Sequence, residues 1–282
     1  MSALFQAARG AASRLRGWRA RREIAAFFRL PYAERVATVQ SLYSHGRMLP
    51  SFDHYFAARD RLAVYPQPFY DMILAYSQAL RPSTILQIGC FTATESRWLA
   101  LQKCPARLIA SDFEPARLDY LHQRFAGGPF ARIELRALDL EQVISTDLAG
   151  IEMIVGNAVL SNIQPEGLER LLESVAASDV RCLILSDIYS NDSLAASTPS
   201  ARSQPSVVDR NWFHPYLALG AKHGLAAFFL PDFTASSFEA ARGIFVLHRA
   251  LPTEFHEAAI AEGWRHYLAR QPSILADQRG RP

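Results

Sequence analysis

The chain of 282 residues has little cysteine. Cys90, Cys104 and Cys182 are its three, an odd count with no close pair. They form no zinc pattern and suit a reducing compartment, so a cytoplasmic location is expected. Long apolar runs are missing too. None approaches the roughly 18 residues of a membrane-spanning helix, so none is predicted. The N-terminus has arginines but no apolar core segment and no small-residue cleavage site, so no secretion signal is read. No G-K-[ST] triplet occurs, which excludes a P-loop.

Net charge is also scarce, at +3, but it is unevenly spread. Residues 1–30 hold seven arginines (Arg9, Arg14, Arg16, Arg19, Arg21, Arg22 and Arg29) against Glu23, a balance of +6 that leaves −3 for the rest. The body is therefore not a nucleic-acid surface by charge. The arm, with Leu4, Phe5, Leu15 and Trp18, has some amphipathic character. It is either a solvated terminus or a contact for an acidic partner or an anionic membrane surface.

Half the residues are hydrophobic, enough for one large domain with a substantial core, or for one domain plus an accessory piece. Residues 31–80 read as a helical cap broken at prolines, ending in PFYDMILAYSQAL, where Pro68 suits a first helical turn. From Thr84 short apolar runs alternate with helical stretches. TILQIG, ARLIASD, ARIELRALD, IEMIVGNAV and VRCLILSD read as strands; ESRWLALQK, EPARLDYLHQRFA and PEGLERLLESVAA read as helices. A Ser/Ala/Pro-rich stretch, NDSLAASTPSARSQPS, reads as a mobile loop. NWFHPYLALGAKHG is a predicted helix ending on Gly224. AAFFLPDF and GIFVLHRA read as two strands joined by TASSFEAAR and pairing antiparallel. This predicts an α/β fold: a Rossmann-like doubly wound sheet, mostly parallel with an antiparallel last strand, plus the N-terminal helical cap. The predicted units are an arm at 1–30, a cap at 31–80, the Rossmann-like domain at 81–251, and a helix and loose tail at 252–282.

In such sheets ligands bind at the C-terminal strand ends where strand order reverses. The turn opening at Gly89, in ILQIGCFTATES, is the default site. Asp112 ends the second strand 23 positions later, the spacing at which a carboxylate reaches adenosine ribose hydroxyls; the alternative is a helix cap. A dinucleotide needs bare backbone at the second glycine of G-x-G-x-x-G. Phe91 stands there and obstructs a pyrophosphate. S-adenosylmethionine carries no phosphate, so it survives this test.

With those residues in view, Thr84 to Arg124 resembles motif I and the following segment of the class I, Rossmann-like S-adenosylmethionine-dependent methyltransferases. IGCFTATES is similar to the I-G-T-F-T-G-Y-S variant of small-molecule O-methyltransferases. SDFEPARLDYL, ALDLEQV and IEMIVGNAVLSNIQPEGLERLLESV are similar to later motifs, and the resemblance spans about residues 80–250. It implies S-adenosylmethionine as cofactor, with Gln87, Gly89, Phe91, Asp112, Phe113, Asp139, Leu140, Asn157 and Tyr65 around it. Asp112 takes the ribose position, Asp139 one near the adenine amino group, and Leu140 and Phe113 flank the ring. Gln87 replaces the usual acid and Ala93 the third glycine; Ala93 costs little unless its φ is positive. Gly156-Asn157-Ala158 replaces the acid pair of metal-dependent relatives, so no catalytic metal is expected.

Methyl transfer needs alignment, and a base only if the acceptor must lose a proton. His214 has a pKa suited to that task, against a structural role. Asp187 and Tyr189, at the end of the fifth long strand, are candidates to orient an acceptor. His54, Tyr55 and Arg59 could line a lid. The expected activity is methylation of a small molecule at oxygen. The alternatives are altered cofactor chemistry (cyclisation or alkyl transfer releasing methylthioadenosine) and a non-catalytic binding protein.

Overall fold

The computed structural model describes residues 68–189, 202–205, 212–237 and 240–279. Tyr65, the arginine arm, His54, Tyr55, Arg59 and most of the Ser/Ala/Pro-rich stretch lie outside the described residues.

Strands and helices alternate as the hydrophobic pattern predicts. In chain order the elements are α1 (Pro68–Leu80), β1 (Thr84–Ile88), α2 (Thr94–Leu101), β2 (Arg107–Asp112), α3 (Pro115–Phe125) and β3 (Ile133–Ala137). Next come β4 (Met153–Asn157), α4 (Pro165–Ala176), β5 (Cys182–Tyr189), β6 (Gln204–Pro205) and β7 (Trp212–Phe213). The described chain closes with α5 (Tyr216–Lys222), β8 (Ala226–Ser237), β9 (Ala240–His248) and α6 (Thr253–Arg279). Every residue of β1 is buried, as a central parallel strand covered on both faces requires. Pro115 and Pro165 open α3 and α4, where the missing N–H has no intrahelical partner to lose.

The seven-stranded sheet has the order β3-β2-β1-β4-β5-β9-β8. β1 pairs in parallel with β2 on one side and β4 on the other, so strand order reverses there. The last strand, β9, is antiparallel as expected, and lies between β5 and β8. β8 is therefore an edge, where Pro231 is tolerated. Alternation splits the apolar residues into two cores. Ile85, Leu108, Met153, Ile184 and Val246 face α1, α2, α3 and α6. Leu86, Ile109, Ile154, Leu183 and Leu247 face α4 and α5. Asp71 of α1 pairs with Arg270 of α6, whose guanidinium lies 4.7 Å from the Trp98 ring centre.

Three expectations change. The helix expected over 211–224 is only α5, because Pro215 disfavours helical backbone at His214; Trp212–Phe213 instead pairs with Gln204–Pro205. β8 and β9 extend through most of the expected TASSFEAAR connection. The C-terminal helix continues through Pro272 to Arg279 where a loose tail was expected. A proline removes one helical hydrogen bond, and Leu268, Ala269, Leu275 and Ala276 around it are strong helix formers.

Candidate functional site

Strand order reverses at β1, so the C-terminal ends of β1, β2 and β4 are where a sheet of this kind binds ligands. The turn leaving β1 places Gly89 at φ 56°, Phe91 at φ 46° and Ala93 at φ 52°. All three glycine positions of a methyltransferase-type G-x-G-x-G turn thus have left-handed backbone, although two carry side chains. For an L-residue that costs about 1–2 kcal/mol, so Ala93 meets the condition under which its substitution is not free. The turn is held by Cys90 N donating to Ser111 O at 2.7 Å and Ala93 N to Cys90 O at 2.6 Å. The departures from glycine change the side chains while φ stays positive at both positions.

Asp112 is 2% exposed and faces this turn. Its Oδ2 accepts from Phe91 N at 3.0 Å and its Oδ1 from Glu114 N at 3.2 Å. The helix cap is Glu114, yet Asp112 serves that helix by taking the Glu114 N–H. Arg117, in the first turn of α3, points its Nη1 at both Asp112 oxygens, at 3.0 and 2.9 Å. Its Nη2 donates to Glu114 at 2.6 Å. The guanidinium carbon lies 5.0 Å from the Phe91 ring centre and 5.9 Å from that of Phe113. Gly89, Phe91, Asp112 and Phe113 are therefore brought together, around an arginine that the sequence reading missed. Its position five residues after Asp112, on a predicted helix, was the available signal.

Gln87, buried at the end of β1, donates its Nε2 to the Glu95 carboxylate and accepts Ser96 N at 2.9 Å. Glu95, in the first turn of α2, is only 4% exposed. It also accepts Asn157 Nδ2 at 3.0 Å. Asn157 Oδ1 in turn accepts Arg242 Nη2 at 2.6 Å. The carboxylate absent from position 87 is thus supplied from position 95, beside the same strand end. Neither Glu95 nor Arg242 was singled out from the sequence. Glu95 is separated from Gln87 by the whole turn, and Arg242 reaches Asn157 only because β9 is inserted next to β5.

The remaining candidates lie elsewhere. Asp139 accepts Glu141 N at 2.9 Å, capping the turn after β3. Leu140 packs in the core with Val143 and Leu148, so little of it is left to flank a ring. Asp187 is buried and accepts Ser161 N, Ile188 N and the Tyr216 hydroxyl at 3.1, 2.8 and 3.0 Å. It joins β5 to α5, and burial raises its pKa. Tyr189 is half-buried against Phe229 and Phe245. Among the described residues no cluster of three or more His, Cys, Asp or Glu is placed to hold a metal.

His214 is fully buried. Its Nε2 donates to Leu160 O at 3.0 Å and its Nδ1 pairs with Ser203 Oγ at 2.7 Å. A ring so enclosed has no open nitrogen to meet an acceptor. Burial pushes its pKa down to about 4. Above pH ~6.5 the ring is neutral folded and unfolded, and its contribution is intact. As pH falls from ~6.5 towards 4 the unfolded chain takes up a proton that the folded chain refuses, and stability is lost. The loss from this one ring reaches about 3 kcal/mol. Urea midpoints should therefore fall between about pH 7 and about pH 4.5, and less steeply in His214→Gln. Equal slopes in the two proteins would remove His214 as the cause.

No protein-family model matches the chain, and no curated protein matches it. Solved structures do. The methyltransferase domain of bacterial CtHen1 is 12% identical, with 64% of this chain and 98% of that one covered and a TM-score of 0.50. The N-terminal domain of EvdMO1 with SAH bound is 18% identical, covering 67% of this chain and 83% of that one, at 0.47. Magnesium protoporphyrin IX methyltransferase of Synechocystis PCC 6803 is 16% identical, covering 63% and 78%, at 0.44. At such identities the likeness is one of fold, and the described residues share the Rossmann-like fold of the CtHen1 methyltransferase domain.

Proposed function

We propose that the chain is an S-adenosylmethionine-dependent methyltransferase acting on a small molecule, at oxygen. The observation that carries this is Asp112, a buried carboxylate held 3.0 Å from the turn's Phe91 N–H at the sheet's point of reversal. The residue types fit the cofactor. Two carboxylate oxygens suit a ribose diol, and the Phe91 and Phe113 rings beside them suit adenine. Asp139 is near the adenine end by the motif order. Gln87 and Glu95 together set a carboxylate beside the end of β1, a fitting partner for the ammonium group of the cofactor's methionine part. When bound, the cofactor supplies an electrophilic methyl group.

The chain's own work is alignment and water exclusion. With His214 and Asp187 enclosed and hydrogen-bonded, they act as positioning residues. Among the described residues, Tyr189 and Arg242, near the ends of β5 and β9, are the candidates to orient an acceptor. The test is calorimetry with S-adenosylhomocysteine. Wild type should bind it, and Asp112→Ala should bind at least about 100-fold more weakly, since a ribose diol would face no acceptor. Undiminished binding by Asp112→Ala, or none by wild type, overturns the reading.

One observation favours a second reading, a methyltransferase-like fold kept for binding without chemistry. Asp112 is already engaged by Arg117. Methylated product formed by the purified protein would dismiss it. Altered cofactor chemistry has less support, because Glu95 restores the carboxylate and Ala93 keeps a positive φ.

A further inference from the structure

A carboxylate has about four lone-pair positions, and those of Asp112 are all taken. Two go to the backbone N–H groups of Phe91 and Glu114, which the fold fixes. Two go to Arg117 Nη1, which stands on a side chain and can leave. Two is also the number of donors on a ribose 2′,3′-diol. Arg117 lies near the Phe91 and Phe113 rings, in the space the proposed adenosine would share. We propose that Arg117 is an internal stand-in for the ribose: it closes the site by occupying the carboxylate, and it must leave Asp112 before an adenosyl ligand can bind.

The arrangement offers the arginine somewhere to go. Its Nη2 is already bonded to Glu114, which is more exposed than Asp112. Pivoting about that contact frees Asp112 while the guanidinium keeps one carboxylate partner. Closure has a physical use as well, because an empty site would leave the Asp112 charge buried and unpaired, which is costly. It also sets specificity. A ligand recovers both acceptor positions only with both hydroxyls, so 2′-deoxy and 2′-phosphorylated nucleosides are disfavoured. Affinity is lowered by the fraction of molecules that are open.

This inference rests on the adenosyl-ligand reading above, and the experiment separates the two. S-adenosylhomocysteine binding is measured by calorimetry for wild type, Arg117→Ala and Arg117→Gln, with folding checked by thermal melting. Both variants are expected to bind about tenfold tighter than wild type, the gain from removing a mostly closed state. If wild type binds and the variants bind equally or more weakly, the stand-in role fails and the cofactor reading survives. If neither wild type nor variant binds, both fail. A second measurement needs no variant: a crystal structure of wild type with S-adenosylhomocysteine. Arg117 should be off Asp112 with ribose hydroxyls in its place. Arg117 still on Asp112 beside a bound ligand overturns the proposal even if the variants do not fold.

Discussion

Glu95→Ala is expected to lower the unfolding free energy by about 3–5 kcal/mol and to abolish S-adenosylhomocysteine binding. Glu95 is nearly inaccessible to water, and its oxygens accept the Gln87 and Asn157 amides. Alanine would take the acceptor from the part-buried Asn157 amide and leave Gln87 Nε2 only its long contact to Cys90 O at 3.5 Å, at about 1–3 kcal/mol each, and would add a cavity. Asn157 would also lose its orientation, and with it one contact to Arg242. Glu95→Gln separates charge from shape. It keeps the volume, but its NH2 must face a donor from Gln87 or Asn157. It should therefore cost less than alanine in urea midpoint while still weakening the ligand, because the negative charge is gone. A Glu95→Ala protein with the wild-type urea midpoint would show that the three side chains do not act as one buried network.

Gly89→Ala is the second large effect, expected to cost roughly 2–5 kcal/mol. Two independent terms act. The backbone at Gly89 has φ 56°, which strains any side chain by about 1–2 kcal/mol. An added Cβ would also overlap Val159 Cγ2, and forcing extra volume into a packed site costs about 1–3 kcal/mol. Val159 packs against a second glycine as well. A Cβ added at Gly156 would come within 2.9 Å of its Cγ1, and Gly156 is the β4 neighbour of Ile88. Gly89 and Gly156 together form a slot for that valine. The double variant Gly89→Ala/Val159→Ala should recover the packing share, less the contacts Val159 itself loses, and none of the backbone share. Equal urea midpoints for wild type and Gly89→Ala would refute both terms. Gly89 thus has a structural duty in addition to the ligand role read from its spacing.

Much of the scaffold was legible because it depends on local periodicity. Buried parallel strands read as continuous apolar runs, and α4 shows its core face as Leu168, Leu171, Leu172 and Val175 at helical spacing. Asp112 was legible for a similar reason, since a strand and a short turn fix its distance from Gly89 within one unit of the fold. His214 was not. Its residue type and its place after the loop suggested a base, but burial follows from what packs over it.

The sequence by itself determined the order and kind of the elements, the place of the β1 turn and the acid at the end of β2. Backbone hydrogen bonding and side-chain periodicity act over a few residues, so neighbouring positions suffice to state them. Only the tertiary structure decided which charges meet. Insertion of β9 between β5 and β8 sets Arg242 against Asn157. The α2 helix packs Glu95 beside Gln87, and the α3 helix turns Arg117 back onto Asp112. These pairings are made by the directions of packed elements, and buried polar groups then take whichever partners that packing brings within hydrogen-bonding reach.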